Sequence, residues 1–159
     1  RASVLDRGPA ADEVLTDADP DDCATGPPGR WIIAPDGAVV RAGLVRQYGA
    51  RHGLWQLDPD IAYLTGDRVP DGVRGFEIIE ALPLREKALR QALSALDCGA
   101  LEILVRGVDV DPDALRRRLR PTGSASLSVV IMRMGTGSGS RAAAFVCRSS
   151  SARSAISDR

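Results

Sequence analysis

The chain has 159 residues, with 21 basic and 21 acidic side chains, 44% apolar residues and 4% aromatics; this fits one globular domain with or without tails. Its longest apolar run, such as Ala142–Cys147, is far short of the roughly 20 residues that span a bilayer, and no basic-then-apolar N-terminal segment reads as a signal peptide. A soluble, cytoplasmic chain is expected, with Cys23, Cys98 and Cys147 too few, odd in number and too widely spaced for a disulfide framework or a zinc site.

The chain opens on Arg1 rather than Met, as a processed or partial product would. Residues 1–29 hold seven acids against two arginines, together with Gly8-Pro9, Asp19-Pro20 and Gly26-Pro27-Pro28-Gly29. Such a composition predicts a disordered acidic linker that stays outside the core. Residues 30–74 read as a small helix and short strands. Trp31-Ile32-Ile33 is an apolar run ended by Pro35-Asp36-Gly37, Ala38–His52 places Val39, Val40, Leu44, Val45 and Tyr48 near helical spacing with Gly53 as its C-cap, and Leu54–Leu57 and Ile61–Leu64 are strand-like.

Residues 75–148 carry the clearest periodicity. Phe76–Leu82 is a strand, Leu84–Asp97 lines Leu84, Ala88, Leu89, Ala92, Leu93 and Leu96 along one helical face, and Leu101–Val105 is a second strand. Asp111 is a good N-cap with Pro112 at the first helical position, opening a short helix whose Leu115 and Leu119 face inward. Ser126–Met134 has the near-continuous apolar character of a buried strand, and Ala142–Cys147 returns beside it. Residues 149–159 are rich in Ser and Arg and are expected to be a disordered tail. Two short helices cannot cover both faces of a large sheet. The expected fold class is therefore α+β, a small mixed sheet with helices on one face, built as β-α-β-α-β plus a closing hairpin strand.

Few motifs carry chemistry. Gly135-Thr136-Gly137-Ser138-Gly139-Ser140 is followed by a strand rather than a helix and lacks a P-loop lysine, so a hairpin loop is expected in place of a cofactor cradle. Asp109-Val110-Asp111-Pro112-Asp113 opens like a calcium loop, but Ala114 stands where Gly is needed and Arg120 where Glu is needed; helix capping accounts for the acids. His52 is the sole histidine and has no partner for a triad or a metal site, while Glu77 and Glu80 fall on opposite faces of a strand. Neither a catalytic constellation nor a metal site is predicted.

Charge is more informative. Residues 114–159 hold nine arginines against Asp158 alone. With Leu115 and Leu119 buried, Arg116, Arg117, Arg118 and Arg120 occupy the exposed arc of their helix and, with Arg106 at the end of the preceding strand, are the candidate phosphate contacts of one basic surface. A solvated arginine-rich face explains the same residues equally well.

Three separated stretches occur in order: Ala34-Pro35-Asp36-Gly37-Ala38-Val39-Val40-Arg41-Ala42-Gly43-Leu44-Val45, Leu57-Asp58-Pro59-Asp60-Ile61-Ala62-Tyr63-Leu64-Thr65-Gly66-Asp67, and Leu101-Glu102-Ile103-Leu104-Val105-Arg106-Gly107-Val108-Asp109-Val110-Asp111-Pro112. Together they resemble the C-terminal portion of bacterial class I SAM-dependent methyltransferases, which ends in a THUMP-like domain. The resemblance covers about residues 30–148 and implies that 75–148 is that THUMP-like domain. It further implies an accessory role in recognising structured RNA beside a catalytic methyltransferase domain, with S-adenosylmethionine as the parent family's cofactor. The acidic-Gly-x-Gly motif of the SAM-binding core is not visible before residue 30, so no cofactor, no membrane and no metal is expected for this chain and no catalysis by it alone. The alternative is a structural packing or dimerisation module without nucleic-acid binding.

Overall fold

Residues 1–4, 13–135 and 137–150 are described by a computed structural model. They divide into two compact units, Arg1–Gly75 with Ser150, and Phe76–Ser149.

In the first unit, β1 (Ala2–Val4) and β2 (Glu13–Leu15) form an antiparallel pair. Three further strands, β3 (Trp31–Ala34), β4 (Trp55–Gln56) and β5 (Leu64–Gly66), are ordered β4-β5-β3 with both pairings antiparallel. Between β3 and β4 the sequence predicts one helix, and the structure has two, α1 (Gly37–Arg41) and α2 (Val45–His52). Gly43 causes the break: its φ of 71° is a left-handed conformation, and Leu44 N–H closes back on the Val39 carbonyl at 3.0 Å. The same chemistry ends α2 at Gly53, φ 66°, as its position predicts. The strand expected at Ile61–Leu64 begins only at Leu64, as β5. Asp58 explains this, since its carboxylate accepts Asp60 N–H at 2.8 Å and its carbonyl accepts Ile61 N–H at 3.2 Å, holding a turn where an extended chain was expected.

The expectation that residues 1–29 remain outside the core needs correction. Ala2, Leu15 and Cys23 are buried in one apolar cluster with Ile33, Val39, Leu44, Tyr48 and Leu64. Polar backbone ties compensate for the scarcity of large apolar residues. Gln56 N–H donates to the Ala24 carbonyl and Gly26 N–H to the Gln56 carbonyl, both at 2.9 Å, Gly29 N–H reaches Thr65 Oγ1 at 2.8 Å, and Trp55 Nε1 donates to the Pro27 carbonyl at 2.7 Å. The acids are matched as well, with Glu13 and Asp19 both bonded to Arg51 and Glu13 bonded to His52. The part of the predicted linker at residues 5–12 lies outside the described residues.

The second unit holds the better-formed sheet. Its strands are β6 (Arg74–Pro83), β7 (Cys98–Arg106), β8 (Ala125–Met134) and β9 (Arg141–Ser150), in the order β6-β9-β8-β7. β7 and β8 are parallel, with Leu101 opposite Leu127 and Ile103 opposite Val129; β8 and β9 are antiparallel, with Val129 opposite Val146. The helices α3 (Glu86–Ala95) and α4 (Pro112–Leu119) supply Leu89, Leu93, Leu115 and Leu119 to a single cluster with Leu101, Ile103, Leu127, Val129, Ile131, Ala144 and Val146. Successive side chains of a strand point to opposite faces, so these alternating positions place both helices on one face of a mixed sheet, the expected α+β class. Residues 149 and 150, expected in the tail, belong to β9, which extends to Ser150 because the Ser150 hydroxyl exchanges bonds with the Gly75 N–H and carbonyl at 3.1 Å each. Residues 151–159 of that tail lie outside the described residues.

Candidate nucleic-acid interface

Parallel pairing of β7 with β8 decides where the basic helix lies. The chain must return between two strands of the same direction, so α4 runs back along β7. The α3-to-β7 and α4-to-β8 junctions then sit side by side, where Cys98 is opposite Ala125. Packing there is tight: a Cβ on Gly99 would strike the Gly123 carbonyl, and one on Gly123 would strike the Asp97 carbonyl. Ala125 N–H donates to the Asp97 carbonyl and Gly123 N–H to the Cys98 carbonyl, each at 2.8 Å, locking the two junctions together.

α4 begins as its sequence predicts. Asp111 Oδ1 accepts the N–H groups of Asp113 at 3.0 Å and Ala114 at 3.2 Å, and Pro112 follows. Its arginines do not behave alike. Arg116 is half-buried and engaged twice, its Nε donating to the Leu101 carbonyl at 2.9 Å and its Nη1 pairing with Asp113 at 2.7 Å. Since β7 ends the order of its sheet, Arg116 is capping an otherwise open strand edge. Arg117 is exposed and makes no hydrogen bond or ion pair among the described residues. Arg118 Nε pairs with Glu86 at 3.1 Å, and Arg120, left-handed at φ 48°, leaves its guanidinium unpaired among the described residues.

The five candidate arginines therefore do not form one patch. Arg106 stands at the far end of β7 from Cys98, eight residue steps or about 26 Å along an extended strand. Its Nη1 turns back to the Val105 carbonyl at 2.8 Å. Arg118 and Arg120 instead meet Arg90, which the sequence analysis passed over. Arg90 Nη2 donates to Glu86 Oε1 and to the Arg118 carbonyl, both at 3.0 Å. The i, i+4 spacing of Glu86 and Arg90 is a signal readable in sequence; the reach to Arg118 is not.

The three arginines and Glu86 line a shallow depression. Beside it lies a recess of about 360 Å³ that shares Arg90 and Arg120 and is floored by Leu93, Leu119 and Cys98. α4 ends here, so the carbonyl end of its dipole favours Arg118 independently of any ligand. Burial pushes the Cys98 thiol up, which keeps it a neutral packing group rather than a nucleophile.

The described glycine-rich turn does not fit a SAM cradle. The residues described in the Gly135–Ser140 stretch join antiparallel β8 and β9 through a short 3-10 turn at Gly137–Gly139, with no α-helix N-terminus behind the glycines to receive a phosphate or carboxylate. Among the described residues, no group of three or more His, Cys, Asp or Glu side chains is placed to hold a metal ion, and no helix is long and apolar enough to cross a membrane. His52 closes α2 beneath Tyr48, ring centroids 4.4 Å apart, with its Nε2 on Glu13 at 2.9 Å.

Two helices on one face of a mixed sheet define the second unit as an α+β domain. Residues 73–149 match the family described as THUMP domain-like, and the chain carries a THUMP-like domain there. Two Mycobacterium tuberculosis proteins, from strains CDC 1551 / Oshkosh and ATCC 25618 / H37Rv, are each 66% identical over 150 residues and are described as uncharacterized S-adenosylmethionine-dependent methyltransferases. The alignment covers 94% of this chain and 41% of either relative, so the chain spans well under half the length of the curated proteins it matches. A crystal structure of a candidate methyltransferase from Porphyromonas gingivalis W83 superposes with a TM-score of 0.69 at 19% identity, covering 92% of this chain and 37% of that one. That likeness is one of fold.

Proposed function

We propose that this chain is the RNA-recognition portion of a SAM-dependent methyltransferase, presenting the basic junction of its THUMP-like domain to structured RNA while the methyl transfer is carried out by residues beyond it. The observation that carries the reading is the convergence of Arg90, Arg118 and Arg120, with Arg117 beside them on α4, against the single carboxylate of Glu86. Phosphate neutralisation by arginine is the main sequence-independent source of affinity for nucleic acid. Arg106 belongs to the reading as an outlying phosphate contact, and Arg116 as the residue that holds α4 against β7 while its neighbours face solvent. The rival role, a packing or dimerisation module using Leu/Val surfaces, would instead show self-association without RNA binding.

Fluorescence anisotropy of a labelled structured RNA at two salt concentrations tests this. Affinity should fall steeply with salt, and replacing Arg117, Arg118 and Arg120 together by Ala should flatten the slope of log K against log salt by about 0.7 to 0.9 per lost contact. Binding that is absent, or unaltered by the triple substitution while melting is also unaltered, would reduce these arginines to solvated surface.

A further inference from the structure

Among the described residues, two that are not glycine adopt positive φ, Asp97 at 56° and Arg120 at 48°. Both line the same recess. Each closes a helix, Arg120 as the C-cap of α4 and Asp97 just after Leu96, the C-cap of α3, so the two helix ends turn into one hollow. Two further features describe what the hollow would take.

The first is an anion seat. The two oxygens of Glu86 are each occupied by one guanidinium, Oε1 by Arg90 at 3.0 Å and Oε2 by Arg118 at 3.1 Å, and Arg120 adds a third guanidinium with no partner among the described residues. Three guanidinium groups around the Glu86 carboxylate leave a positive excess suited to a phosphate anion, and Glu86 holds two of the forks in place before it arrives. The second is the adjoining recess, of a volume typical of small-molecule sites. Leu93 and Leu119 form its apolar floor, while Ser94, Asp97 and Thr122 add polar groups around it. Asp97 spends Oδ2 on the Ser124 hydroxyl and keeps Oδ1 as an acceptor.

From this pairing we propose that the junction of α3 and α4 seats one nucleoside 5′-monophosphate unit, its phosphate against Arg90, Arg118 and Arg120 and its base over Leu93 and Leu119. The inference deepens the RNA reading and rests on it for the source of the nucleotide, an unpaired residue of an RNA strand. A free nucleotide has the same chemistry, so the test has two arms.

In the first arm, backbone amide shifts of the full chain are followed by NMR during titration with each nucleoside 5′-monophosphate and, separately, with inorganic phosphate. Shifts at Ser94, Asp97, Arg120 and Thr122 are expected with the nucleotides, and shifts restricted to the surroundings of Arg90, Arg118 and Arg120 with phosphate alone. If the nucleotides leave these amides unmoved, or move only what phosphate moves, the nucleotide seat is overturned. In the second arm, a hairpin RNA with an unpaired overhang is expected to bind about tenfold tighter than its blunt form, the order of one seated base. Arg120→Gly, which removes the guanidinium at a position where glycine is at ease, and Ser94→Trp, which fills the recess from an exposed helical position, should each bring that ratio toward one. Arg117→Ala, outside the recess, should weaken both RNAs alike. Nucleotide shifts without any RNA binding would keep the seat and overturn the RNA reading; RNA binding without nucleotide shifts would do the reverse.

Discussion

Arg116 and Arg117 are adjacent on one helix and chemically identical, yet the structure gives them different work, so their alanine variants should separate. Truncating Arg116 removes the bond from Nε to the Leu101 carbonyl at 2.9 Å and the pair with Asp113, whose side chains are 40% and 72% exposed. A charge-assisted bond contributes about 1.5 to 3 kcal/mol, and water returning to the open edge of β7 places this one at or just below the bottom of that range, at roughly 1 to 1.5 kcal/mol. The exposed ion pair adds about 0.3 to 0.5 kcal/mol and the better helix propensity of Ala gives back about 0.2. Arg116→Ala should thus cost about 1.1 to 1.8 kcal/mol, which for a domain of this size lowers Tm by roughly 5 to 10 °C. Arg117→Ala should stay within about 0.5 kcal/mol of the parent chain, because the side chain is exposed and makes no bond among the described residues. The propensity change is common to both variants and cancels in the comparison. Urea melts followed by far-UV circular dichroism supply midpoints and slopes for the pair. Midpoints that coincide would refute the assignment of Arg116 to the strand edge.

Asp111→Ala removes both cap bonds at the start of α4 and should cost about 1 kcal/mol, recoverable by Asp111→Ser, as read from denaturant midpoints. Arg120→Gly should leave the chain as stable as the parent or up to about 1 kcal/mol more stable, since it relieves a left-handed arginine. Cys147 is fully buried, and burial pushes its thiol to about 12, while Cys23 and Cys98 are raised mainly by the same cause. A thiol reagent at pH 8 should therefore leave all three unlabelled in the native chain and label them in urea. Asp19 is held below the ordinary carboxylate range, first by the Thr16 backbone N–H at 2.7 Å, against opposing burial, and then by the Thr16 hydroxyl and Arg51. A lowered folded value stabilises above the unfolded pKa and is lost as pH falls, so Asp19→Asn should flatten the decline in stability on acidification below about pH 4; an unchanged acid limb would refute that contribution.

Much of the local architecture was legible in the sequence because its causes are local. Asp111 and Pro112 start α4 and Gly53 ends α2, each through bonds between residues two to four positions apart. The apolar periodicities of 84–97 and 115–119 place both helices on one face of the sheet, and the continuous apolar run of β8 marks a strand buried on both sides. A single residue broke the one long helix expected over 38–52. Gly43 reads equally well as an interior glycine or as a stop, and the choice is made by whether Leu44 can fold into the core.

What the sequence did not reveal depends on partners far along the chain. Leu15 and Cys23 look like stray apolar residues in an acidic arm until residues 33–64 fold into a surface that receives them, and Glu13 and Asp19 become part of the structure only because the end of α2 brings Arg51 within reach. In the candidate site, composition treats the arginines of α4 as equivalent, whereas the parallel path of β7 and β8 assigns Arg116 to Leu101, 15 residues away, leaves Arg117 in solvent, and brings Arg118 to Glu86, 32 residues away. It also carries Arg106 to the opposite end of the strand and brings in Arg90 from another helix. Charge and periodicity determine which residues are available to a surface. Only the course of the backbone, settled by the burial of apolar faces, decides which of those charges meet, because side-chain bonds reach a few ångströms and the chain between the partners runs for tens.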